Sequence, residues 1–184
     1  MKDFKKKLDK PERVKELNPS GTLEKLGLEE SYVFCDIGAG TGIFTIEAAK
    51  KCKEAYALDI NEDLLNIINE KAASENLKNI NLVKVDSDSL NVEDEKCDLV
   101  LLSTVLHEIE NKDSMISEIH RILKPNGKVA IIEFHKKDAP YGPPIEEKIS
   151  PDEMDDIFKT SNLKENNLFN IGDKFYCKVY KKEC

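Results

Sequence analysis

Between residues 31 and 135, short apolar runs alternate with amphipathic stretches, and this alternation constrains the fold more than any other feature of the chain. Tyr32 to Ile37 has the β-branched and aromatic composition of a strand. Gly42 to Lys51 follows with Ile43, Phe44 and Ile46 turned to one helical face. Glu54 to Ile60 reads as a second strand. Asp63 to Ser74 reads as a helix, with Leu64, Leu65, Ile68 and Ala72 on a single stripe. Ile80 to Val85 and Asp98 to Leu102 are further strands. Asp113 to Leu123 is a helix carrying Met115, Ile116, Ile119 and Ile122, and Pro125-Asn126-Gly127 ends it in a turn before a fifth strand, Lys128 to Phe134. Nearly continuous apolar strands separated by helices specify a parallel sheet covered on both faces, with right-handed crossovers. The expected fold is therefore α/β and doubly wound.

The ends break the pattern. Residues 1–30 hold two short helical candidates, Pro11 to Leu17 and Thr22 to Leu26, without a strand, and are expected to form a helical cap. Residues 136–149 are a turn-rich loop. In residues 150–184, Ser150-Pro151-Asp152-Glu153 starts a helix with a serine cap, a proline at its first position and acids in its first turn. Asn166 to Ile171 and Lys174 to Tyr180, joined by Gly172-Asp173, then read as a β-hairpin. No repeat is present, so the expectation is one domain of 184 residues with its core in residues 31–135.

Composition excludes several classes. Acids outnumber bases by 36 to 28, for a net charge of −8, and the lysines are scattered. A nucleic-acid partner would call for a basic face, so none is expected. The longest apolar runs are far too short to span a bilayer, and Met1 to Lys7 is basic without an apolar stretch behind it. The expected location is thus cytoplasmic, with no membrane partner. Cys35, Cys52, Cys97, Cys177 and Cys184 are odd in number and lack paired spacing, which points to reduced, packed thiols and to no metal site. A homodimer remains open.

The chemistry concentrates at Asp36-Ile37-Gly38-Ala39-Gly40-Thr41-Gly42, a glycine turn between the first strand and the first helix. Such turns let the backbone approach a nucleotide-like ligand closely. The dinucleotide pattern G-x-G-x-x-G fails here, because Ile43 stands at its third position and the third glycine, Gly42, comes one residue early. Asp36 would repel a pyrophosphate on the turn but would suit a cation. Opposite unit charges at close range are worth a few kcal/mol at an effective dielectric of about 20. S-adenosylmethionine carries an ammonium and a sulfonium and no phosphate, so this logic favours it over NAD. Asp59 ends the second strand at the spacing of a ribose-binding acid, and Asp86-Ser87 ends the third. All lie at carboxyl ends of strands, where open α/β sheets bind ligands. An isolated acid at a strand end is more often a loop or capping residue, and it is their series behind the turn that favours a site.

The chain resembles the class I S-adenosylmethionine-dependent methyltransferases, in the broad group that includes the ubiquinone/menaquinone C-methyltransferases. The likeness rests on Asp36 to Gly42, Ala57-Leu58-Asp59-Ile60, Val85-Asp86-Ser87, Cys97-Asp98-Leu99-Val100 and Leu123-Lys124-Pro125-Asn126-Gly127-Lys128. It implies a Rossmann-like, seven-stranded sheet of order 3-2-1-4-5-7-6 with strand 7 antiparallel, in agreement with the hairpin read from the C-terminal sequence. It also implies that Asp36, Gly38, Ala39, Gly40 and Thr41 cradle the methionyl part of S-adenosylmethionine. By the same likeness Asp59 holds the ribose, Ile60, Asp86 and Ser87 flank the adenine, and Ser103 faces the methionine end. S-adenosylhomocysteine would be the product.

Methyl transfer to an activated carbon needs alignment, exclusion of water and, for a weakly acidic acceptor, removal of a proton. His107, after the fourth strand, is the candidate base or acceptor-orienting group, since imidazole titrates near neutral pH; a helix-start residue touching cofactor or solvent is the alternative. Glu133 and His135 end the fifth strand and are secondary candidates, whereas His120 sits inside a helix. A small-molecule acceptor is expected. Residues 1–30 and Lys136 to Pro144, with Phe4 and Tyr141 as apolar walls, are expected to close over the pocket and set acceptor choice. Two other functions stay open: an NAD-type oxidoreductase, and a non-catalytic module that binds S-adenosylmethionine.

Overall fold

The computed structural model describes residues 9–86 and 89–183. Seven strands form one sheet in the order β3-β2-β1-β4-β5-β7-β6. β1 (Val33–Ile37) is parallel to β2 (Glu54–Asp59), β2 to β3 (Ile80–Lys84), and β4 (Cys97–Ser103) to β5 (Leu123–Phe134). β7 (Phe175–Lys182) is antiparallel to both β5 and β6 (Leu163–Ile171). The order and the single reversed strand are those expected from sequence. The chain divides into two compact units that meet in sequence at Asn91 and Val92.

In the first unit, β1 is buried along its whole length. α1 (Pro11–Leu17) and α2 (Pro19–Lys25) occupy the N-terminal cap region, each with a proline in its first turn. α2 packs on α3 (Ile43–Ala49), and Leu17 and Leu23 are fully buried. α4 (Glu62–Ser74) starts where the Asn61 side chain accepts the Asp63 N–H at 3.0 Å, with acids in its first turn to oppose the helix dipole. Its stripe of Leu64, Leu65, Ile68 and Ala72 is buried as the 3.6-residue period requires. Burying side chains of Leu or Ile size stabilises by about 1.5–3 kcal/mol each. Ile68 → Ala is therefore the change that would most loosen this layer.

The second unit holds β4 to β7 with α5 (Lys112–Ile122) and α6 (Pro151–Phe158). α6 opens with the serine cap read from the sequence, completed as a capping box: Ser150 Oγ accepts the Glu153 N–H and the Glu153 carboxylate accepts the Ser150 N–H. The Pro125-Asn126-Gly127 turn is present, but β5 begins before it. Cys97 pairs with Leu123 and Leu99 with Lys128, so residues 124–127 bulge out of a strand that already started at Leu123. Asn126 takes a left-handed conformation, φ +66°, and a Cβ on Gly127 would stand 2.9 Å from the Lys124 carbonyl oxygen. Sequence reasoning saw the turn and missed the pairing on its near side. Cys35, Cys52, Cys97 and Cys177 are all buried.

Candidate active site

In the first unit the glycine turn leaves β1 at its carboxyl end. Gly38, Gly40 and Gly42 have φ of +68°, +56° and +79°, a region that L side chains rarely enter. The Gly38 and Ala39 N–H groups both donate to the Leu58 carbonyl, at 2.8 and 2.9 Å, which ties the turn to the end of β2. Gly42 has a second constraint: a Cβ there would stand 2.8 Å from Ile68 Cγ1. The early third glycine is therefore set by the close approach of α4.

Asp36 is 2% exposed and accepts the Thr45 hydroxyl at 2.7 Å. Burial pushes its carboxyl up to about 7, against the Thr45 hydrogen bond, and the Asp59 charge adds to the rise. Asp59 Oδ2 accepts the Gly40 N–H at 2.8 Å, and Oδ1 accepts the Asn61 N–H at 2.9 Å. This one carboxylate thus fixes both the glycine turn and the entry to α4. Ile60, beside it, is 72% exposed. The Thr41 hydroxyl donates to the Asp9 carboxylate, and Lys71 Nζ on α4 donates to the Thr41 carbonyl at 2.8 Å. Asp86 is exposed and bridges to Ser89 just after β3. Ser87 lies outside the described residues.

In the second unit, Ser103 ends β4 and its Oγ is buried without a hydrogen-bond partner among the described residues. A short 3-10 turn, Leu106–Glu108, follows. His107 Nδ1 lies 2.8 and 3.0 Å from the two carboxylate oxygens of Glu133 on β5. Glu133 also accepts the His107 backbone N–H at 3.3 Å. Burial pulls the imidazole pKa down, but the hydrogen bond and charge of Glu133, with the charges of Glu108 and Glu147, outweigh it and leave His107 above its ordinary value. His135 instead stacks obliquely near Tyr176 and is held below its ordinary value, by burial first and then by Lys137. His120 sits within α5.

A family model described as a methyltransferase domain matches residues 35–131, more than half the chain. The chain belongs to this family, the class I S-adenosylmethionine-dependent methyltransferases. The crystal structure of an S-adenosylmethionine-dependent methyltransferase from Aquifex aeolicus superposes with a TM-score of 0.91 at 26% identity, over 98% of this chain and 97% of that one. The ubiquinone/menaquinone biosynthesis C-methyltransferase of Hydrogenovibrio crunogenus is 31% identical over 122 residues, which are 64% of this chain and 48% of that protein. The demethylmenaquinone methyltransferase of Lactobacillus johnsonii is 33% identical over 114 residues, 60% of this chain and 47% of that protein. The chain thus spans about half the length of the relatives it matches.

For a methyltransferase-family member, the residues present fit S-adenosylmethionine. The Asp59 carboxylate accepts two N–H groups, and a carboxylate has about four lone-pair sites, so acceptor capacity remains for a ribose diol. An exposed isoleucine beside it offers an apolar contact. Ser103 Oγ is a buried polar atom without a partner among the described residues, a condition that native proteins rarely leave unfilled. Sequence reasoning named His107 and Glu133 separately and missed their pairing. The available signal was an acid inside the apolar run Val129 to Phe134. It also missed Asp9 and Lys71 on the turn, for which no local pattern exists.

Proposed function

We propose that this chain transfers a methyl group from S-adenosylmethionine to a small-molecule acceptor. The observation that carries the reading is the Asp59 carboxylate: it locks the glycine turn, retains acceptor capacity and stands beside the exposed Ile60. Asp36, Gly38, Ala39, Gly40 and Thr41 would hold the methionyl part, Asp59 the ribose, Ile60, Asp86 and Ser87 the adenine, and Ser103 the methionine end. The cofactor, when bound, supplies a methyl carbon activated by a sulfonium. His107 would take the acceptor's proton. The negative net charge supports a small acceptor over a nucleic acid. The two quinone-named relatives make demethylated quinols the first acceptors to try.

Calorimetry with S-adenosylmethionine, S-adenosylhomocysteine and NADH, followed by radiolabelled-methyl transfer to quinols and to a metabolite extract, tests the reading. Binding of both adenosyl compounds, and label in an acceptor, is the expected result. Binding of NADH alone would make the chain an oxidoreductase. Cofactor binding with no labelled product under saturation would make it a binding module.

A further inference from the structure

Glu133 is 1% exposed, in a strand whose flanking residues Ile131, Ile132 and Phe134 are all buried. A carboxylate in such a place requires compensation by hydrogen bonds or an opposite charge. Both come from His107: its backbone N–H and its Nδ1 converge on the Glu133 carboxylate, and the His107 side chain is itself only 6% exposed. The contact spans 26 residues, from the turn after β4 to the end of β5. It fixes the imidazole at two points, through the ring and through the backbone that carries it.

The geometry also fixes the tautomer. A neutral imidazole has one N–H and one bare nitrogen, and a carboxylate against Nδ1 retains the proton there. Nε2 is then the basic atom. It lies 3.8 Å from Glu108 Oε1, beyond hydrogen-bond distance. The charged groups that act on the ring are Glu133, Glu108 and Glu147, all acids. An imidazolium formed at Nε2 would be stabilised by them, and an acceptor that arrived as an anion would be repelled.

We propose that Glu133 is the positioning residue that makes His107 Nε2 a base for the acceptor's proton. In the step assigned to this pair, the acceptor's bond to its acidic hydrogen breaks, the proton passes to Nε2, and the electron pair stays on the acceptor as its nucleophile. The imidazolium holds that proton until solvent removes it. This deepens the methyltransferase reading and rests on it only for the fate of the electron pair.

The test separates the two. Histidine ring nitrogens, labelled with nitrogen-15, are titrated by NMR in the full chain, where only His107, His120 and His135 contribute; His107→Asn identifies the signals of His107. In the unsubstituted protein the neutral ring should carry its proton on Nδ1 and titrate above the ordinary histidine value. Glu133→Gln retains an oxygen for Nδ1–H but removes the charge. It should lower the His107 pKa, move the acid limb of kcat/KM by the same amount, reduce kcat, and leave cofactor affinity unchanged. Glu133→Asp, which restores the charge, should recover part of both shifts and serves if the glutamine variant does not fold. An Nε2-protonated neutral ring, or a His107 pKa that ignores the charge at position 133, overturns the proposal whatever the transfer assay gives.

Discussion

The two compact units bind their polar groups in opposite ways. In the first, the two buried candidate-site carboxylates accept hydrogen bonds from the turn and helices beside them: Asp36 from the Thr45 hydroxyl, and Asp59 from the backbone N–H groups of Gly40 and Asn61. Backbone N–H groups do much of the work, and the glycines exist to let them. In the second, the candidate pair joins His107 to Glu133 across a helix and most of a strand, and the Ser103 hydroxyl at the end of β4 has no hydrogen-bond partner among the described residues. A site built from backbone is rigid before any ligand arrives. A site built from two side chains on separate elements has an adjustable protonation state. The first suits recognition of a constant molecule, the second a chemical step.

That contrast makes separable predictions. His107→Asn should reduce methyl transfer by roughly 10²- to 10⁴-fold, the usual contribution of a positioned acid or base, with cofactor affinity unchanged by calorimetry. A weakened cofactor affinity with normal turnover would instead make His107 a cofactor contact and erase the division. Asp59→Ala should weaken cofactor binding by about 100-fold, because it removes the acceptor for the Gly40 and Asn61 N–H groups as well as any ribose contact. Normal affinity in that variant would break the backbone-built description of the first unit.

Gly42→Ala should cost about 1–3 kcal/mol in urea unfolding, from the left-handed φ and from the collision with Ile68. An unchanged midpoint would mean that α4 can withdraw from the turn. The last effect is pH-dependent. The Asp36 pKa is raised to about 7 from 3.8 by burial, so the ligand-free protein gains stability below the lower value and loses it as pH rises through about 7. Asp36→Asn should therefore melt higher than the parent at pH 8. A cationic ligand favours the ionised form, so cofactor affinity should climb with pH up to about 7, by at most tenfold per unit, and this slope should flatten in the asparagine variant. A pH-independent affinity in the parent would show that Asp36 does not face the cation.

The same contrast explains what could be read from sequence. The strand order came from the family resemblance, whereas the hairpin and the serine cap of α6 follow from periodicity and from residues within a few positions of each other. The glycine turn and Asp59 were legible because strand-end spacing fixes them. Gly42 was read through ligand chemistry, whereas its position answers to Ile68, a packing partner on another helix. The start of β5 at Leu123 was hidden because a proline, an asparagine and a glycine follow it, and only pairing with Cys97 reveals a strand there. The His107–Glu133 pair was hidden because no pattern in either segment names the other. Lys178, 2% exposed, was read as neither core nor site; it is buried by Asp155 at 2.5 Å and Glu165 at 3.6 Å, partners from α6 and β6.

The position of β7 has a consequence for synthesis on the ribosome. β7 is the last strand in sequence, yet it fills the interior place between β5 and β6. When β5 emerges, its Val129, Ala130, Ile131 and Ile132 lack the neighbour that will later cover that edge. Translation at about 5–20 residues per second leaves this apolar edge open for roughly 2–10 seconds until Lys182 follows. During that interval the nascent chain offers an unpaired strand to any other extended segment, the condition that promotes aggregation. Slow codons or a stalled ribosome between residues 134 and 175 should therefore lower soluble yield more than the same delay placed before β4.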